Sequence, residues 1–185
     1  MPIPPFDGIL NVLPPHTGRP HVLSELSPYV CSMSEVCDRF ATSPARKAIL
    51  EGFLDLRKEF RSLGIEGFQW LDGSFSEDIE ASEGRDPGDI DVVTFVAQPN
   101  TPNDVKNAFS PRPELLQQPD VKSRFHVDHY LVPLGSQAEV VVEHTRYWYG
   151  LFSHRRDCTW KGMLRVDLSA TCDDDAARVV LRNKP

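Results

Sequence analysis

The chain has 185 residues, 40% of them hydrophobic and 25% charged, with a formal net charge of −7. That is the balance of one ordinary globular domain, long enough to bury a core. The acidic excess argues against a general nucleic-acid binder with a broad basic face. No apolar run approaches bilayer-spanning length, and the opening MPIPPFDGIL has no basic n-region of a signal peptide, so a cytoplasmic protein without membrane attachment is expected. Cys31, Cys37, Cys158 and Cys172 form no C-x-x-C pair and read as reduced thiols rather than a zinc or redox motif.

Residues 1–31 carry Pro2, Pro4, Pro5, Pro14, Pro15, Pro20 and Pro28 without an apolar period. Proline fixes φ and removes a backbone donor, so this stretch reads as an extended arm rather than a helix or central strand. Ile3, Phe6, Ile9, Leu10, Val12 and Leu13 suit an arm lying along the domain or against a partner protein; disorder is the competing reading. The domain proper is expected over residues 32–185. Ser32-x-x-Glu35 is a capping box that opens a helix to about Phe40. Ser43 as N-cap and Pro44 at the first helical position open the clearest helix of the chain. Its Ile49, Phe53, Leu56, Phe60 and Leu63 recur at steps of four and three, and Gly64 ends it as a left-handed cap.

Phe68 to Leu71 reads as a strand leaving through a tight Asp72-Gly73-Ser74 turn. Residues 76–88 are acidic and glycine-bearing, a loop with at most one helical turn. Asp89 to Val96 is β-branched and nearly continuous in apolar character, as in a strand covered on both faces. Pro99, Pro102, Pro111, Pro113 and Pro119 then break the chain into a loop region with short helical pieces. Phe125 to Val132 is a third strand, Gln137 to Phe152 a helix in spite of the β-branched Val140–Val142, and Met163 to Leu168 a late strand. The run Asp173–Asp175 precedes a short C-terminal helix, and its simplest role is to cap a helix N-terminus. The expected fold class is α/β (α+β), a mixed β-sheet with helices packed mainly on one face.

The chemistry-bearing residues start with Asp89-Ile90-Asp91. Side chains alternate along a strand, so the two carboxylates share a face about 6–7 Å apart. Two ionised carboxylates on an apolar strand repel each other and resist burial, and a divalent cation with a preference for hard oxygen ligands relieves both problems. An exposed strand start without function is the plainer alternative. Asp128 interrupts a half-buried strand and needs a partner, either a salt bridge or convergence with Asp89 and Asp91. Gly73 permits positive φ and close backbone approach, and the amides of such a turn together with the Ser74 hydroxyl can cradle phosphate oxygens.

L-D-G-S-F at 71–75, D-I-D-V-V at 89–93 and V-D-H-Y at 127–130 together resemble the polymerase-β-like nucleotidyltransferase superfamily, over roughly residues 66 to 132. The wording of these motifs and an opening rich in P-P-F and L-P-P look like an uncharacterised small bacterial branch of it. The resemblance implies a nucleotidyltransferase fold and an enzyme that transfers NMP from an NTP to a protein, RNA or small-molecule hydroxyl, releasing pyrophosphate. It implies Mg²⁺ (or Mn²⁺) held by Asp89, Asp91 and Asp128, with Asp128 also helping to deprotonate the acceptor, and a triphosphate held by Gly73 and Ser74. The alternative it leaves open is a catalytically weak or inactive binding module, an antitoxin or regulatory partner in a toxin–antitoxin or phage-defence system, engaging its partner through the N-terminal arm. Two features depart from the superfamily pattern: fourteen residues, five of them acidic, separate Ser74 from Asp89, and His129 stands where an apolar residue is typical.

Elsewhere, Arg155, Arg156 and Lys161 form a basic cluster that suits triphosphate or acceptor RNA, or simply a solvated surface. His126, His129, His144 and His154 have no zinc spacing and read as surface or packing residues. Tyr147, Trp148, Tyr149 and Phe152 suit either base stacking or a core-facing helix stripe, the latter being the commoner use.

Overall fold

A computed structural model describes residues 3–184; Met1, Pro2 and Pro185, and with them the first two positions of the expected arm, lie outside the described residues. The helices form where the caps and apolar periods place them. α1 (Met33–Phe40) opens on the full Ser32/Glu35 capping box. α2 (Pro44–Ser62) starts at Ser43, whose Oγ accepts from the Arg46 amide, and ends at Leu63 with Gly64 at φ 72°. Its buried stripe is Ile49, Leu50, Phe53, Leu54, Leu56 and Phe60. β2 (Glu66–Asp72) follows, then a 3₁₀ turn at Ser74–Ser76 and a short α3 (Ile79–Glu83) inside the acidic loop. β3 (Ile90–Gln98), α4 (Pro102–Ala108), α5 (Gln118–Phe125), β4 (Val127–Pro133), α6 (Ala138–Phe152), β5 (Leu164–Leu168) and α7 (Asp174–Asn183) complete the chain.

Among the described residues the sheet has five strands in the order β1-β5-β2-β3-β4, with β1 (Tyr29–Val30) at one edge. β2 runs antiparallel to both β3 and β5, while β3/β4 and β1/β5 are parallel, so the sheet is mixed. One face carries Leu71, Ile90, Val92, Val96, Val127, Leu164 and Val166 into the main core beneath α1, α2, α5 and α7. Gly52 lets α2 and α5 approach closely, because a Cβ there would run into the Phe125 carbonyl. The opposite face is covered over part of its length by α6, whose Trp148 and Phe152 pack on Trp70, Val93, Phe95 and Val132. Helices therefore lie mainly, not wholly, on one face.

The proline-rich arm is part of the domain. Val12 and Leu13 are fully buried, the Gly162 amide donates to Leu13 O at 2.7 Å, and the Tyr29 hydroxyl donates to Pro14 O at 2.6 Å. The arm also supplies β1, which the sequence did not announce. Two residues are too few to display alternation, and the strand exists because its amides meet a waiting edge: Tyr29 N donates to Met163 O at 2.9 Å and Cys31 N to Arg165 O at 3.0 Å. A second difference concerns Asp173. It stands at the head of α7, but its carboxylate makes no cap there and instead accepts from the Met33 and Ser34 amides at 2.9 and 2.8 Å, capping α1.

Candidate active site

The site forms where β2 ends and where β3 and β4 begin. Antiparallel pairing sets Asp72 opposite Asp91, and parallel pairing sets Asp91 opposite Asp128. Directly paired residues project from the same face, so three carboxylates form a row across three strands. Asp89 precedes β3 by one residue and adds a fourth beside them. Of the residues expected from sequence, Asp89, Asp91 and Asp128 are brought to one place, and Gly73 and Ser74 abut them. Gly73 has φ 81°, and a Cβ on it would collide with the Asp91 carboxylate. Only glycine allows the turn to come this close to the row.

The charges are unevenly compensated. Burial pushes the Asp91 carboxyl up to about 6, and the neighbouring Asp89 and Asp128 charges push the same way. Asp72 is more deeply buried, which raises it to about 7 against the opposing pull of Lys161. Lys161 Nζ lies 3.0 Å from Asp72 Oδ1 and 2.7 Å from Glu77 Oε1, and donates to Gly73 O at 3.3 Å. Burial alone lowers the Lys161 pKa, but Asp72 and Glu77 together carry it above the ordinary lysine value. At the other end Lys122 from α5 touches Asp89 and lies 3.7 Å from Asp128 Oδ2, while Gln118 Nε2 donates to Asp128 Oδ1 at 2.6 Å. The ion pair with Asp89 raises the Lys122 pKa.

Among the described residues no three His, Cys, Asp or Glu side chains stand grouped so as to hold a metal ion. The carboxylates are aligned rather than converged, with a lysine ammonium at Asp89 and Asp128. The donor set is nevertheless all oxygen, and Asp91 lies beside two like charges that the pull of Lys161 and Lys122 only partly offsets. The chemistry of the residues therefore fits Mg²⁺ or Mn²⁺ if Lys122 gives way.

The acidic loop does not face the row as free charge. Glu77 pairs with Lys161 and Arg155, Glu80 with Arg46, and Glu83 with Arg85; Asp78 caps α3. Arg155 and Lys161 thus form part of an internal ion network, not a solvated basic patch. Trp148 and Phe152 are core residues, and Tyr147 is exposed. Three residues of the site were not expected beside the carboxylates: Asp72 and Lys122, and Lys161, which the sequence placed only in a basic cluster with Arg155 and Arg156. Asp72 was visible as a carboxylate two positions from Trp70 on the same strand face, a signal masked by its place in a turn. The pairing of Lys161 and of Lys122 with carboxylates left no local signal, because only the tertiary fold brings them together.

The model of a family of unknown function, DUF6932, matches residues 4–167. The chain belongs to that family. The match takes in the arm, the Gly73 turn and the whole carboxylate row, so the DUF6932 match spans the site and the segment that braces it. Searches among curated proteins and among solved structures find no match.

Proposed function

We propose that this DUF6932 chain is a metal-dependent nucleotidyltransferase of the polymerase-β-like kind, transferring NMP from an NTP to a hydroxyl on a protein, RNA or small molecule. The observation that carries the reading is the contact between the Gly73 turn and Asp91: a phosphate-sized anion held by the turn would lie against the carboxylates. Asp89, Asp91 and Asp128 would hold Mg²⁺ or Mn²⁺. Gly73 and Ser74 would hold the triphosphate through backbone amides and the Ser74 hydroxyl. When bound, the metal supplies charge neutralisation on the leaving pyrophosphate and an acidified acceptor hydroxyl. The acceptor oxygen forms the new bond to the α-phosphorus as the bond to pyrophosphate breaks, and Asp128 takes the acceptor proton. Cytoplasmic placement belongs to the same reading; among the described residues no helix is long and apolar enough to cross a membrane.

A second reading, a nucleotidyltransferase-fold binding module with little or no activity, is favoured by one feature. Helix α6 exposes Val140, Tyr147 and Leu151 along one stripe, with Val142 exposed on another part of its surface. The arm supports that reading less, since Val12 and Leu13 are buried in the chain's own domain, although Ile9 and Leu10 remain exposed. Thermal unfolding with each NTP and Mg²⁺ or Mn²⁺ separates the two. The enzyme reading expects a metal-dependent rise in melting temperature with at least one NTP, absent in Asp89→Ala/Asp91→Ala. Folded wild type that responds to no nucleotide would favour the binding module.

A further inference from the structure

Two lysines bracket the carboxylate row, and their settings differ. The Lys161 side chain is 3% exposed and holds Asp72, Glu77 and the Gly73 carbonyl together. Its withdrawal would take the ion-pair partner from the buried Asp72 and leave Glu77 to Arg155 alone, so it is fixed in place. The Lys122 side chain is 52% exposed, and its partners Asp89 and Asp128 are themselves 21% and 22% exposed. A lysine with a flexible stem and a well-hydrated head leaves such a position at little cost. Lys122 therefore sits at two of the three carboxylates that the proposed reading gives to the metal, and it is the exposed one of the pair.

We infer that Lys122 is an exchangeable counter-ion: it neutralises Asp89 and Asp128 before substrate arrives, yields them to a divalent cation, and then presents its ammonium to the polyphosphate of the incoming nucleotide. The inference rests on the reading of Asp89, Asp91 and Asp128 as metal ligands. Its logic is charge balance. Without a cation the carboxylates repel one another, and Lys122 supplies one positive charge to the two at its end of the row. Once those oxygens hold a divalent ion, an ammonium at the same spot meets like charge and is driven outward. An anionic polyphosphate beside the Gly73 turn reverses the sign again and gives the released ammonium a partner. Metal and polyphosphate binding are thereby coupled through one side chain, and the coupling is reciprocal.

Mn²⁺ affinity measured from the paramagnetic resonance of the free ion tests the first half, on wild type, Lys122→Met, Lys122→Arg and Asp89→Ala/Asp91→Ala. Lys122→Met keeps most of the stem and removes the charge, and is expected to bind Mn²⁺ roughly three- to tenfold more tightly than wild type. Lys122→Arg should stay close to wild type. Calorimetric titration of the Mn²⁺ complex of inorganic pyrophosphate into Mn²⁺-saturated protein tests the second half. Here Lys122→Met should be weaker by a similar factor. Equal or weaker Mn²⁺ binding in Lys122→Met, with wild-type binding still dependent on Asp89 and Asp91, overturns the role of Lys122 and leaves the metal site standing. No Mn²⁺ binding in either wild type or Lys122→Met overturns both. Unchanged pyrophosphate affinity in Lys122→Met overturns the claim that the freed ammonium meets the polyphosphate.

Discussion

His129 projects from β4 into the main core, its ring 4.8 Å from that of Phe60 and its Nε2 2.9 Å from Thr94 Oγ1. Thr94 Oγ1 also accepts from Gln69 Nε2 at 2.8 Å, and Gln69 Oε1 accepts from Arg57. The imidazole is neutral there, because burial pushes its pKa down to about 3. The unfolded chain takes up a proton near the ordinary histidine value of about 6.5, and the folded chain does not. The contribution of His129 to stability is therefore full above that pH and falls by about 1.4 kcal/mol for each unit below it, down to the folded value. Asp72 and Asp91, raised by burial, take up protons in the folded chain over the same range and act with the opposite sign. The histidine therefore shows as a difference: from about pH 7 to about pH 4.5 wild type should lose stability relative to His129→Leu by about 1.4 kcal/mol per unit in urea unfolding. An equal slope in both proteins would place the acid sensitivity elsewhere. Gly73 gives a second prediction of the same size of change in sequence. Gly73→Ala meets both the positive φ and the Asp91 carboxylate, and is expected to cost about 1–3 kcal/mol in urea unfolding. It should also abolish any NTP-dependent stabilisation, whereas Ser74→Ala, which removes only a hydroxyl, should weaken it.

Helix α7 is tied to α1 and to α2 through two adjacent aspartates at its start, with different duties. Asp173 caps α1, accepting from the Met33 and Ser34 amides. Asp174 is fully buried against Arg57, with Nη2–Oδ1 at 2.7 Å and Arg61 3.3 Å away. Asp173→Ala should cost about 1 kcal/mol, the ordinary value of a lost cap. Asp174→Ala should cost about 3–5 kcal/mol, because it strands a buried guanidinium. Chemical denaturation of the two variants checks the ranking, and a reversal would mean that Arg57 finds enough partners in Gln69 and the Asp167 carbonyl. Local chemistry made much of this scale legible: the caps at Ser32 and Ser43, the α2 stripe and the apolar run of β3 all follow from residues within a few positions of one another. Asp173 was legible as a cap but not as the cap of a helix 140 residues away. The same limit governs the site. Asp89, Asp91, Asp128 and Gly73 stood out because each breaks an otherwise apolar or turn pattern locally. Asp72 with Lys161, and Lys122 with Asp89, become pairs only through strand register and helix packing.

At the scale of the whole molecule, the arm braces the side of the site opposite α5. Asn11 O accepts from the Asp78 amide at 2.8 Å, just past the Gly73 turn, and Leu10 O from Arg155 Nη1 at 3.2 Å. Leu13 O meets the amide of Gly162, the residue after Lys161. The arm thus touches, on either side, the segments that carry Glu77 and Lys161, and so fixes the ion network under Gly73. Removing residues 1–14 exposes the surface that Val12 and Leu13 cover, about 1.5–3 kcal/mol for each side chain. It also strips the acceptors from Asp78 N, Gly162 N and the Tyr29 hydroxyl, about 1 kcal/mol apiece. Against a total stability of about 5–15 kcal/mol for an ordinary domain, the truncated chain should be marginal. Urea unfolding and limited proteolysis should find it so, with the earliest cleavage between Ser74 and Asp89. A truncated chain with the wild-type midpoint would show instead that β1 and the main core suffice, and that the arm serves only the site. In that case NTP-dependent stabilisation should still be lost on truncation, because the Lys161 network would no longer hold the turn against Asp91.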